Sequence, residues 1–150
     1  MKLPTSPGCT GSTLGLLFRQ LRDGMWARMA NELAMAGHEL TFSQYIVLKE
    51  LATGKAGVTE LARSAQLDPG AMTRLLDKLE TRGLVARVAD PADRRALNIN
   101  LTDVGRVLWE EVNHLGLRVR ERAMRGLSEA DEEQLTRLLM QVRDNLYADD

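Results

Sequence analysis

Residues that could contact phosphates or DNA bases are concentrated between positions 69 and 95. They are small residues and basic or hydroxyl side chains, namely Pro69, Gly70, Ala71, Thr73, Arg74, Lys78, Arg94 and Arg95. Small residues let the backbone approach a phosphate closely, and arginine can donate two parallel hydrogen bonds to a phosphate or to a guanine edge. The set therefore predicts contact with double-stranded DNA.

Two short helices joined by a tight connection are predicted to position most of these residues. Thr59 is a suitable N-cap for the first helix, and Asp68 followed by Pro69 is a strong start signal for the second. Gly83 is expected to end that second helix about four turns later. Four apolar residues at helical spacing would be buried and leave Thr73, Arg74 and Lys78 facing outward, these four being Met72, Leu75, Leu76 and Leu79. The pattern predicts a helix-turn-helix.

A β-hairpin is predicted directly after the second helix. Residues 84–88 and 97–101 alternate in polarity as half-buried strands do, and the Asp-Pro pair at 90–91 marks a turn between them. Arg94 and Arg95 would project from the tip, where arginine can enter the negative potential of a narrow minor groove. Asp93 is expected to support this wing by bracing one of the two arginines.

Four segments in this order resemble the MarR family of bacterial winged-helix regulators. They are VTELA at 58–62, TRLLDKLETRGLV at 73–85, DPADRRA at 90–96 and LTDVG at 101–105. The resemblance implies a homodimer with a helical dimerisation domain built from both chain ends and a pseudo-palindromic DNA operator. It also implies a regulator, usually a repressor, that is often released by a small aromatic or phenolic ligand.

The rest of the chain is predicted to be a helical scaffold. Apolar residues keep helical spacing from Leu14 to near Gly37, a capping box at Thr41 and Gln44 starts a helix ending near Ala52, and further helices follow Thr102 and Ser128. The expected fold is mainly α with a small β-hairpin, and Val58 is expected to add a one-residue strand at the edge of its sheet. Residues 1–13 are interpreted as a flexible arm, 41–102 as the winged helix-turn-helix, and 14–40 with 103–150 as the dimerisation region, since long apolar stripes at both ends need a partner.

Composition limits the functional classes. The formal net charge is −1, but residues 74–95 hold six Lys or Arg against four Asp or Glu, whereas residues 126–150 hold two against seven. The sequence contains no grouping typical of a catalytic, metal or phosphate-binding site, so no enzyme, metal or cofactor is expected. No apolar run is long enough to span a membrane, and the single Cys9 favours a reducing, cytoplasmic location.

A ligand site is expected between the helical scaffold and the winged helix. The candidates are Trp26, Met29, His38, Tyr45 and Arg87, with Met35 and Trp109 as further apolar wall. Ordinary core packing is at least as good an interpretation of the methionines and aromatic residues. A solvated or structural imidazole is the simpler interpretation of His38, and an exposed strand arginine is the simpler interpretation of Arg87. Two alternatives to a ligand-released repressor remain: a redox-responsive regulator of the same fold acting through Cys9, and a winged-helix protein-interaction module without DNA binding.

Overall fold

The computed structural model describes residues 11–54, 56–93 and 95–149. Six helices and three short strands follow each other in the order α1 (Gly11–Met35), α2 (Phe42–Ala52), β1 (Ala56–Gly57), α3 (Val58–Ala65), α4 (Pro69–Thr81), β2 (Val85–Ala89), β3 (Leu97–Leu101), α5 (Asp103–Ala123) and α6 (Glu129–Tyr147). The predicted fold class, mainly helical with a winged helix, is confirmed.

Side-chain caps begin four of the helices where the sequence predicted them. Thr41 Oγ1 accepts from the Gln44 amide at 3.2 Å, and Asp68 Oδ1 accepts from the Ala71 amide at 2.8 Å. Thr102 caps α5, and Ser128 forms a capping box with Asp131 at the start of α6. Each cap satisfies an amide that has no partner inside its helix, which fixes where the chain turns into the helix.

The three strands form an antiparallel sheet in the order β1-β3-β2. Arg87 on β2 lies opposite Ile99 on β3, and Val85 lies opposite Leu101. The inner face of this sheet, together with α2, α3 and α4, encloses the larger of two core clusters, whose fully buried members include Val47, Leu48, Met72, Leu76, Leu79 and Ile99. The helix-turn-helix and the hairpin therefore share one core.

A second, smaller core joins the scaffold helices. Met29 and Leu33 of α1 pack with Val112 and Val119 of α5, while Leu40, Leu108 and Trp109 contact both clusters. Trp26, Phe42, Tyr45 and Trp109 form a chain of aromatic contacts with ring centroids 5.1 to 5.8 Å apart. The scaffold and the winged helix are thus in continuous apolar contact.

Three predicted boundaries differ from the structure. Helix α1 begins at Gly11, inside the segment interpreted as a flexible arm, whose first ten residues lie outside the described part of the chain. The expected N-cap of α3, Thr59, lies inside the helix, and Gly57 occupies the cap position without a side-chain bond. The prediction that Val58 forms a one-residue strand was wrong, because the edge strand is formed by Ala56 and Gly57 and Val58 opens α3.

Candidate nucleic-acid interface

Helix α4 carries most of the predicted DNA-contacting residues on its outer face. Its inner stripe is held by Met72, Leu76 and Leu79, which are completely buried. The opposite side exposes Thr73, Arg74 and Lys78 together with Pro69 and Gly70 at the N-terminus, and Ala71 is half-buried. The burial of the inner stripe therefore fixes the outward direction of these side chains, as the apolar spacing predicted.

The N-terminus of α4 is crowded around Gly70. A Cβ atom at residue 70 would lie 3.2 Å from the capping oxygen of Asp68 and 3.5 Å from Arg74 Nη1. The guanidinium of Arg74 therefore lies back over the first turn of the helix. A cation beside a helix N-terminus is a favourable arrangement for a phosphate.

The hairpin tip is a compact turn closed by backbone bonds. The Asp90 amide donates to the Ala96 carbonyl at 3.0 Å, and the Ala96 amide donates to Asp93 at 3.1 Å. Arg95 is exposed at this tip, and Arg94 lies outside the described residues. Asp93 Oδ1 accepts from the Arg95 backbone amide at 3.0 Å and so helps to shape the turn. That Asp93 braces one of the two arginine side chains stays a prediction, because Arg94 lies outside the described residues.

Arg87 lies against α4, away from the other predicted ligand residues. Its Nη2 donates to Asp77 Oδ1 at 2.8 Å and, at 3.4 Å, to the Thr73 carbonyl, while its Nη1 lies 3.4 Å from Glu80 Oε1. The Arg87 side chain retains 22% of its exposure, so it is neither a free strand arginine nor an open ligand contact. It connects β2 to the helix that carries Thr73 and Arg74.

The other four predicted ligand residues lie near α5. Met29 is only 4% exposed and belongs to the second core, and Tyr45 lies between Trp26 and Trp109. Burial raises the pKa of the Tyr45 phenol above its ordinary value of 10.0, because burial disfavours the phenolate. His38 Nε2 lies 2.8 Å from Glu111 Oε2.

One cavity of about 230 Å³ borders this aromatic group. It is lined by Arg22, Asp23, Trp26 and Phe42, so one candidate ligand residue, Trp26, faces open space. Met35 is 78% exposed and does not belong to an apolar wall, contrary to the prediction. Phe42 was missed because its place beside Trp26 depends on how α1 and α2 pack, which sequence spacing does not show.

Two residues to which no role was assigned from the sequence join neighbouring elements of the winged helix. Gly105 is buried where α5 passes the base of the hairpin, and a Cβ there would lie 2.1 Å from the Leu84 carbonyl oxygen. Arg82 donates to the Glu39 carbonyl at 2.7 Å and thereby joins the end of α4 to the segment before α2. A glycine inside a predicted helix was the available signal for close backbone approach.

Comparison with known proteins shows which family this winged helix-turn-helix resembles. Residues 40–97 match the MarR family. The HTH-type transcriptional regulator TtmR of Methylorubrum extorquens is 37% identical over 115 residues, which are 76% of this chain, and the chain covers about three fifths (58%) of that relative.

Two solved structures extend the similarity over nearly the whole chain. The transcriptional repressor CouR bound to a 23-mer DNA duplex is 26% identical, with 95% of this chain and 99% of that chain covered and a TM-score of 0.77. NadR in complex with 4-hydroxyphenylacetate is 26% identical, with 93% and 97% covered and a TM-score of 0.76.

The fold and the matched segment define a protein of the winged helix-turn-helix class. The chain belongs to the MarR family. Its relatives are transcriptional regulators and the family is not enzymatic. Among the helices described, none has the length and apolar character needed to cross a membrane.

Proposed function

We propose that this protein is a homodimeric, sequence-specific DNA-binding repressor whose operator complex is released by a small aromatic or phenolic acid. The observation that carries the proposal is the shared core that holds the outer face of α4 beside a hairpin with Arg95 at its tip. The DNA complex of the similar repressor CouR supports it. In this division of the chain, residues 41–102 read DNA, and residues 14–40 with 103–149 form the dimer.

Arg74 and Lys78 are available for DNA. Among the described residues, neither has a carboxylate within 4.0 Å, whereas the acidic residues of the same helix are engaged, Asp68 in the cap and Asp77 with Glu80 by Arg87. A cation without an internal partner can neutralise a phosphate or donate to a guanine without breaking a bond of the protein. The proposed contacts are Pro69, Gly70, Ala71, Thr73, Arg74 and Lys78 from α4 and Arg94 and Arg95 from the wing.

Selection of bound sequences from a random duplex pool tests DNA reading directly. We expect an enriched pseudo-palindrome whose half-site centres lie about one helical turn, or a multiple of it, apart. Arg95→Ala should weaken binding to that sequence at fixed salt, and Arg74→Ala should relax base preference by about 1–3 kcal/mol at one position. Arg106→Ala is the matched control, because Arg106 lies at the start of α5 and pairs with Asp103 at 3.2 Å. A folded protein that enriches no sequence would contradict the proposal.

Dimer formation is supported by the apolar surface of α6. No residue of this 19-residue helix is buried, and Leu138, Leu139 and Leu146 are 54%, 39% and 76% exposed. Leu17 and Leu21 of α1 are also about half exposed. A patch of this extent is typical of an interface. Leu138→Glu should shift the protein to a monomer in sedimentation velocity experiments, whereas Glu133→Gln on the same helix should leave the dimer.

Ligand release is supported by the cavity beside Trp26 and by the NadR complex with 4-hydroxyphenylacetate. Trp26 and Phe42 offer aromatic faces, and Arg22 offers a cation for a carboxylate, although it also bonds Asp23 at 3.1 Å. Met29, His38 and Tyr45 line or support the same α1, α2 and α5 junction. Arg87 is the member of the predicted ligand set that this proposal leaves out, because its guanidinium is engaged by α4.

A panel of phenolic and aromatic acids tests ligand release by competition with operator binding. An active compound should lose potency against Trp26→Leu, while the operator affinity of that variant without ligand stays close to wild type. Met35→Leu is the control, since Met35 is largely exposed and outside the cavity. Equal potency of the compound against Trp26→Leu and wild type would indicate that the ligand binds at a different site.

A further inference from the structure

We propose that Arg87 is a positioning residue that fastens the wing to helix α4, so that the two DNA-contacting elements act as one rigid unit. The inference rests on the proposed function, because it concerns how the DNA-reading surface is assembled. It gives Arg87 a role inside the protein instead of the ligand contact that the sequence suggested.

Arg87 bonds to several residues along one side of α4. The acceptors of Arg87 lie at residues 73, 77 and 80 of α4, which are four and three positions apart and therefore form one line along the helix. The planar guanidinium donates to two carboxylates and one backbone carbonyl on this line, and arginine is suited to such forked contacts. A single side chain of β2 thus contacts acceptors spread over about two turns of α4.

Arg87 lies where the hairpin leaves the surface of α4. Arg87 is the central residue of β2 and pairs with the fully buried Ile99 of β3. Beyond it toward the tip, the flanking residues Val88, Ala89 and Leu97 are exposed and add no buried contact to α4. Arg87 is therefore the outermost described residue of β2 that bonds to α4, and Arg95 lies on the far side of it.

Arg87 also neutralises two carboxylates of α4. Asp77 and Glu80 lie on the helix that is proposed to face DNA, and their side chains are 60% and 46% exposed. Two unpaired carboxylates there would repel phosphates, and each would also be free to attract Arg74 or Lys78 away from DNA. Arg87 pairs with both carboxylates, which leaves the other cations of α4 available.

The test is a set of operator-binding titrations at fixed salt with the 150-residue protein. Arg87→Gln should weaken binding about tenfold, the scale of coupling between contacting residues. In the Asp77→Ala/Glu80→Ala background the same substitution should change affinity less than about twofold, because its partners are already absent. Arg87→Lys, which retains charge but not the fork, should fall between wild type and Arg87→Gln. Arg106→Gln is the matched control, since Arg106 pairs with an exposed carboxylate of its own helix, Asp103.

Hydrogen exchange separates positioning from general destabilisation. Arg87→Gln should accelerate exchange of the amides near the hairpin tip, at residues 88–97, while the amides of α2 and the unfolding midpoint stay near wild type. An equal loss of affinity in both backgrounds would overturn the inference and make Arg87 a direct DNA contact. Unchanged affinity in the wild-type background would overturn it as well. Absence of salt-dependent binding by the wild-type protein would instead contradict the proposed function.

Discussion

Replacement of Gly105 by alanine is predicted to destabilise this protein, although the same change inside a helix normally stabilises it. Gly105 is buried in the first turn of α5, where the helix crosses the base of the hairpin. A Cβ at this position would lie 2.1 Å from the Leu84 carbonyl oxygen and 3.0 Å from the Leu84 carbonyl carbon. That oxygen also accepts the Thr102 amide at 3.1 Å, so it cannot move away without losing a backbone bond.

The size of the effect follows from two opposing contributions. Alanine is favoured over glycine in a helix interior by about 1 kcal/mol. Forcing an extra methyl group into a packed region costs about 1–3 kcal/mol, and the upper end applies here because the obstacle is backbone and not a flexible side chain. The free energy of unfolding should therefore fall by about 1–2 kcal/mol after the helix gain is subtracted.

Urea unfolding at matched protein concentration measures this difference, because the apparent stability of the proposed dimer would depend on protein concentration. Gly116→Ala is the control, since it lies in the same helix and its Cβ would meet only the Tyr45 hydroxyl at an ordinary 3.6 Å. That variant should be as stable as wild type or up to about 1 kcal/mol more stable. If Gly105→Ala were as stable as Gly116→Ala, the close approach of α5 to the hairpin would not be the reason for this glycine.

Two further predictions concern single side chains. Burial raises the pKa of Tyr45 in the folded protein, so this phenol contributes stability that is complete below its ordinary pKa of 10.0 and is lost as pH rises through the folded pKa. The fall in the unfolding midpoint above pH 10 should therefore be smaller in Tyr45→Phe than in wild type. An equally large reduction in the exposed Tyr147→Phe would contradict the assignment to Tyr45. Thr102→Ala should lower the free energy of unfolding by about 1–2 kcal/mol, since Thr102 Oγ1 accepts a hydrogen bond from the Gly105 amide and donates one to the Gly83 carbonyl. Thr102→Ser retains both bonds and is the control. If urea unfolding showed an equal loss of stability in both variants, the two hydrogen bonds would not be the cause.

The features that could be predicted from the sequence are those fixed by neighbouring residues. The Asp68 cap and Pro69 fix the start of α4, and the spacing of Met72, Leu76 and Leu79 fixes its buried face, so the outward direction of Arg74 follows from local chemistry. The two strands of the hairpin were predicted for the same reason, because alternation in polarity is a local pattern. The role of these outward residues in DNA contact remains a prediction.

The features that could not be predicted depend on distant segments. Whether Arg87 is exposed, ligand-binding or paired depends on the register of β2 against α4, which brings residue 87 to residues 77 and 80. Met35 is a different case, because it follows Leu33 by two residues and Met29 by six, so its own spacing already places it off the buried face of α1, where it is exposed. The edge strand at Ala56 and Gly57 contains only two residues, too few for any periodic pattern.

The distribution of paired charges explains why a net charge of −1 is compatible with DNA binding. Helix α6 carries an excess of acidic over basic residues, and one of its acids, Glu132, is paired with Arg120 at 2.7 Å. On α4, Arg87 pairs with the two carboxylates that would otherwise face a phosphate backbone. Because exposed charges separated by more than about 10 Å are largely screened at 0.1 M salt, the potential felt by a duplex depends mainly on the charges that lie nearest to it. The overall charge of the chain is therefore a poor guide to its affinity for DNA, and the pairing of each acid on the reading face is a better one.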